Sequence, residues 1–253
     1  MMHKKATDFI SFLGKSIYFT AKKGYNILNK SKFGRFNMLS LINILINVPI
    51  TLIALTGHEF AHAWVSTKLG DPTPRYEGRL SLNPMAHLDV TGTILMILTG
   101  FGWAKPVSIN PSYYKDRKKG MAITAAAGPF SNFIMAFLGV LIGTLLLILG
   151  NFLGFSENVL RNINMIFYLF AFRNLCFMVF NLIPIPPLDG SKVLGLFIPN
   201  RTYYTILQYE RYSIILIMIL SLTGVFNSVI GGGVGVVFDF ILRAVSVIVS
   251  PII

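Results

Sequence analysis

The sequence predicts an all-α polytopic membrane protein, with about five to six transmembrane helices and one re-entrant or edge-strand segment near 90–110. Three observations carry that prediction. Hydrophobic residues make up 54% of the 253 and charged residues only 13%, where a soluble domain carries roughly 25% charged. The mean hydropathy is +0.65, and apolar stretches long enough for a bilayer, about 20 residues, recur along the chain. The net charge of +12 comes from Lys and Arg in short segments flanking those stretches, the arrangement that membrane orientation and anionic headgroups favour. A lipid bilayer is therefore the expected partner, and nucleic acid is not.

Residues 1–37 are basic and mixed, with lysines at 4, 5, 15, 22, 23, 30 and 32 between aromatic and aliphatic residues. They lack an uninterrupted apolar core and a small-residue cleavage site, so a removable signal peptide is not expected. They read as an interfacial amphipathic segment, with a short span over 8–21 as the alternative. Residues 38–253 read as a single membrane-embedded domain. Its first span covers about 38–69 and is stopped by Gly70-Asp71-Pro72-Thr73-Pro74. A polar loop follows to His87. The apolar stretch 91–101 is half the length of a spanning helix. Gly100, Gly102, Pro106 and the alternation at 107–110 favour a re-entrant segment or edge strand beside a cavity, where non-helical backbone is tolerated at membrane depth. After a basic loop with Lys115, Arg117, Lys118 and Lys119, spans are expected over about 121–150, 163–183, 204–225 and 234–249. In the last, Asp239 and Arg243 stand four apart and can pair.

Within the first span lies Thr56-Gly57-His58-Glu59-Phe60-Ala61-His62-Ala63-Trp64. Residues four apart on a helix share a face, so His58 and His62 can offer two imidazoles to one metal ion. Glu59 is placed to take a proton from a water on that ion. Ionisable groups this close to membrane depth are costly and mark a functional site. The single cysteine, Cys176, excludes an intrachain disulfide framework and a cysteine-based zinc site. With only four histidines in the chain, the third protein ligand must be His87 or a carboxylate.

Asp189 is the favoured third ligand. It follows a proline-broken helix end, Asn181-Leu-Ile-Pro-Ile-Pro-Pro-Leu-Asp189-Gly190, which holds its carboxylate on a semi-rigid segment. Two His, one carboxylate and an open fourth position form a recognised catalytic zinc set. His87 competes for the role. Asp71, Glu77 and Asp89 are further loop candidates, expected nearer solvent. If His58 and Asp189 meet, both helices end on one side of the membrane, and the chain between them crosses an odd number of times. The 121–150 helix supplies one crossing, so 91–101 should not supply a second. Lys and Arg crowd the loops on that side, which the positive-inside rule places in the cytoplasm.

These motifs, together with Gly128-Pro129-Phe130-Ser131-Asn132, resemble the site-2 protease family of intramembrane zinc metalloproteases. The similarity is greatest to its compact bacterial members, which lack a PDZ or CBS domain, and covers about residues 45–200. The resemblance implies one catalytic Zn2+ on His58, His62 and Asp189, with Glu59 activating water. It implies that Asn181 lies near the site, where its amide would stabilise an oxyanion, and that Asn132 supports the catalytic helices or touches substrate. It also implies hydrolysis of peptide bonds within or next to transmembrane segments. The implied substrates are single-pass membrane proteins, of the anti-sigma factor or signal-peptide remnant type. The expected location is the cell membrane. A catalytically inactive adaptor that binds membrane helices is one alternative, though it has no need of Glu59. A metal transporter is another, though it calls for ionisable residues through successive spans, and few are present.

Overall fold

The computed structural model describes residues 39–93, 105–222 and 225–252. It is mostly helical, and the described residues form no sheet. The expected features of residues 1–37 lie outside the described residues. Helix α1 spans Leu39–Lys68, the short α2 spans Thr73–Tyr76, and α3 spans Arg117–Phe152. Helix α4 spans Glu157–Asn181, α5 Asp189–Leu194, α6 Asn200–Gln208, α7 Glu210–Leu222 and α8 Val225–Val249. Among the described residues, three helices are long and apolar enough to cross a membrane: Arg117–Phe152, Glu157–Asn181 and Ser228–Ile252. Helix α1 has 30 residues, about 45 Å at 1.5 Å per residue.

Helix α3 is central and packs against α1, α4, α5 and α8. It starts four residues before the expected position because Asp116 caps it, accepting a hydrogen bond from the Lys119 N–H at 3.0 Å. Arg117, Lys118 and Lys119 are therefore its first turn rather than a loop. Its deeper half packs closely on α4. Ala136 and Ala171 are fully buried, and Gly139 and Gly143 lie against Phe170 and Phe167. Small residues at such contacts let helices approach where lipid offers no hydrophobic drive. Val234, Phe238, Ile241 and Val245 of α8 complete this core, with the Tyr168 and Phe238 rings 5.5 Å apart edge to face.

The span expected over 204–225 is divided. Helix α6 ends at Gln208 and α7 begins at Glu210, so the break falls at Tyr209. The expected strand or re-entrant segment falls largely on 94–104, outside the described residues. On its flanks, 90–93 are helical and 105–110 belong to no helix or strand. The Lys105 N–H donates to the His87 carbonyl at 2.9 Å, and Tyr114 reaches Ser66 near the end of α1. The chain thus leaves α1 and enters α3 at the same end of the bundle, which also receives the end of α4 and Asp189. Asp239 and Arg243 are both exposed, and the ion pairs of the described residues do not join them.

Candidate metal centre

The helical register of α1 places His58 and His62 one turn apart on the face turned toward α3. The prolines at 184, 186 and 187 cannot continue α4, and the chain folds back before α5 begins at Asp189. Gly190 makes that fold possible, since a Cβ there would collide with the carbonyls of Leu182 and Ile183. The result brings three buried side chains together. His62 Nε2 lies 3.0 Å from His58 Nε2 and 3.1 Å from Asp189 Oδ2, and His58 Nε2 lies 3.2 Å from the same oxygen. Ligands at 2.0–2.2 Å around a tetrahedral zinc stand about 3.3 Å apart, so the three atoms match a single metal position. Among the described residues they form the one group with metal-ligand geometry.

The far sides of both imidazoles fix their tautomers. His62 Nδ1 stands 2.7 Å from the Thr124 carbonyl, which can only accept, so Nδ1 carries the proton. His58 Nδ1 stands 2.6 Å from Asn132 Oδ1. The Asn132 amide nitrogen donates to the Ala54 carbonyl at 3.1 Å and to Asn174 Oδ1 at 3.0 Å, which leaves its oxygen as the acceptor for His58. Both Nε2 lone pairs therefore point at the Asp189 carboxylate. Three lone-pair donors meeting at 3.0–3.2 Å repel unless a cation lies between them, so the donor set fits a divalent metal. Lys192 stands 3.6 Å from the other carboxylate oxygen, Oδ1, and leaves Oδ2 to the histidines.

Helix α3 comes near enough to supply these partners because residue 128 is glycine. A Cβ there would strike His62 Nε2 and His58 Cε1, and neither ring can retreat, since each is held by its Nδ1 bond. Ser131 Oγ donates to the Gly57 carbonyl at 3.2 Å and to Gly128 at 2.7 Å, fastening α3 to α1 at the same level. Glu59, the next residue round from His58, accepts at Oε2 from the Val107 N–H at 3.3 Å.

The other candidates fall elsewhere. His87 is fully buried, donates through Nε2 to the Ser81 carbonyl at 2.7 Å and stays outside the cluster. Asp71 is not near solvent as expected; it is completely buried. Glu77 is exposed, and Asp89 accepts from Gly92 N. Asn181 is the last residue of α4, with one amide hydrogen donated to the Phe177 carbonyl at 3.1 Å. Asn132 sits directly behind His58, a support rather than a surface group. Thr124, Asn174 and Lys192 escape the sequence reading of the site, while Gly128 stands in a quoted motif with no role assigned to it. An amide at 174 inside an apolar helix is the one signal that points to any of them.

The profile of peptidase family M50 matches residues 149–225. The chain is 37% identical over 217 residues to a Bacillus subtilis protein named "Putative zinc metalloprotease YwhC", covering 85% of this chain and 96% of that one. It is 26% identical over 186 residues to "Putative zinc metalloprotease Rip2" of Mycolicibacterium smegmatis, covering 70% of this chain and 66% of the relative. The Rip2 of Mycobacterium tuberculosis is also 26% identical, over 193 residues. No solved structure matches. A relative covered almost end to end at this identity, beside a buried two-histidine, one-carboxylate cluster, settles the affiliation: the chain belongs to the M50 family of zinc metallopeptidases.

Proposed function

We propose that this protein is an intramembrane protease, cutting peptide bonds within or beside transmembrane segments of other membrane proteins. The observation that carries the reading is the position of the cluster. His58, His62 and Asp189 lie buried among helices whose outer faces are apolar, at the end of the bundle where α1 and α4 finish. In this reading His58, His62 and Asp189 hold the ion. Zinc bound there supplies Lewis acidity and lowers the pKa of its water to about 7. Glu59 accepts a proton and passes it to the departing amine. The Val107 N–H holds one Glu59 oxygen and orients the carboxylate. Asn181 retains a second amide hydrogen, and we assign it to oxyanion stabilisation.

The substrates in this reading are single-pass membrane proteins, of the anti-sigma factor or signal-peptide remnant type that the family resemblance implies. The 105–110 segment supports it, since Val107 brings this backbone beside Glu59, where an unwound peptide would dock along it. Lys105, Lys115, Arg117, Lys118, Lys119, Lys192 and Arg201 cluster in sequence around the catalytic end. That supports a multi-pass protein of the cell membrane with its site toward the cytoplasm. We further read 38–253 as one catalytic domain and 1–37 as an interfacial extension.

The decisive variant is Glu59→Gln. Zinc content should stay at one ion per chain, while hydrolysis of membrane-protein substrates falls by about 100- to 10,000-fold. Comparing membrane proteomes of the two strains would reveal substrates as proteins that accumulate uncut. Cleavage at the wild-type rate would refute the mechanism, and an unchanged membrane proteome would favour an adaptor.

A further inference from the structure

Asp71 is a fully buried carboxylate just beyond the end of α1 that the proposed chemistry does not use. It accepts three hydrogen bonds: from Thr73 N at 3.0 Å on Oδ1, and from Ser66 Oγ at 2.9 Å and Asn110 N at 2.8 Å on Oδ2. Ser66, itself fully buried, lies 2.7 Å from the Tyr114 hydroxyl, and that hydroxyl lies 3.1 Å from Thr124 Oγ1. Thr124 is the residue whose carbonyl receives His62 Nδ1. A file of buried polar groups thus runs from Asp71 to the Thr124 hydroxyl, and the carbonyl of the same residue holds a candidate zinc ligand.

The proton inventory gives this file a direction. An ionised carboxylate only accepts, so the single Ser66 proton is committed to Asp71. Tyr114 must then donate to Ser66, and Thr124 must donate to Tyr114. Every hydroxyl points toward Asp71, and no alternative arrangement satisfies all of them. Burial alone would raise the Asp71 carboxyl, but the hydrogen bonds from Thr73, Asn110 and Ser66 outweigh it and hold it below the ordinary range. Burial also raises the Tyr114 hydroxyl, which keeps its proton available for donation.

Asp71 has a second reach. The Asn110 N–H it accepts belongs to the segment that, three residues earlier, gives the Val107 N–H to Glu59. One carboxylate is thereby tied to His62 on one side and to the backbone holding Glu59 on the other. We propose that Asp71 is a positioning residue: through Ser66, Tyr114 and Thr124 it fixes the His62 imidazole, and through Asn110 it fixes the segment that orients Glu59. This rests on His62 being a zinc ligand.

Zinc affinity, measured on the purified full chain by competition with a chelator, and the absorption spectrum of the cobalt-substituted protein test it without a substrate. Tyr114→Phe and Thr124→Val each delete one hydroxyl of the file and should weaken zinc by about 10- to 100-fold with an altered cobalt spectrum, the usual effect of losing a partner behind a ligand. Thr124→Ser keeps the hydroxyl and should restore both. Asp71→Asn should do the same damage as Tyr114→Phe. If Asp71→Asn does not fold, the Tyr114 and Thr124 variants decide. A lower melting temperature with zinc affinity within twofold of wild type and an unchanged cobalt spectrum would overturn the proposal. His62→Ala separates the two layers. If it loses zinc while Tyr114→Phe does not, only the positioning role fails; if it keeps zinc, the ligand assignment fails as well.

Discussion

Helix α3 is two different helices end to end. Its first half buries Thr124, Gly128 and Asn132 against α1; its second half buries Ala136, Gly139, Val140, Gly143 and Leu147, packed mainly on α4 and α8. The buried stripe is continuous, yet the two halves are held by different forces. In the second half nothing is hydrogen-bonded between helices at Gly139 or Gly143, and stability comes from close van der Waals contact between small residues and rings. In the first half nearly every buried polar atom has a named partner on another helix: Asn132 with His58, Ala54 and Asn174, and the Thr124 carbonyl with His62. Dispersion contacts are many and weak, so losing one is shared among neighbours. A buried hydrogen bond is single and directional, so losing one leaves a specific orphan. Function depends on the half that has no slack.

Three substitutions along α3 would break or sharpen that contrast. The largest effect is expected from Gly128→Ala, whose methyl group collides with both histidine rings. Zinc affinity should fall on the order of 100-fold, measured by chelator competition, in a protein that still folds. A variant that binds zinc normally would mean the two helices slide apart easily at the site. Next comes Asn132→Ala, which strips His58 Nδ1 and Asn174 of their partner. The expected loss is about 10- to 100-fold in zinc affinity and about 1–3 kcal/mol in stability. The smallest functional effect belongs to Gly143→Ala, which presses a methyl group against Phe167. Overpacking there should cost about 1–3 kcal/mol in thermal or denaturant unfolding, with zinc affinity unchanged. Weakened zinc binding in this variant would show that the two halves are coupled rather than separate.

A Gly128→Ala failure would also illustrate what can be read from the chain before folding. The glycine stands in the Gly-Pro-Phe-Ser-Asn motif, but nothing in the motif says that its missing Cβ faces two imidazoles. Asp189 was legible because prolines at 184, 186 and 187 announce a bent, semi-rigid segment with a carboxylate at its end. Asp71 was not legible. An aspartate beside glycine and proline reads as a turn residue at the surface, and its burial is set by Ser66, Asn110 and Tyr114, residues that come from both sides of a long loop. The division of the expected 204–225 span falls at Tyr209, beside Gln208, Glu210 and Arg211, a polar interruption outweighed in the sequence by the apolar residues that follow.

The sequence by itself determined the membrane class, the pairing of His58 with His62 and the place of Glu59 beside them. Each of these depends on composition or on a spacing of four residues or fewer, which helical geometry converts directly into position. Tertiary structure alone decided how the Asp189 carboxylate meets both imidazoles at one point, that Thr124 and Asn132 set the tautomers, and that Asp71 anchors the file behind His62. Those contacts join residues 5 to 131 positions apart, most of them on different elements. Their distances depend on how helices with local patterns of their own settle against one another, and at the metal centre a difference of one methyl group, at residue 128, decides whether they can.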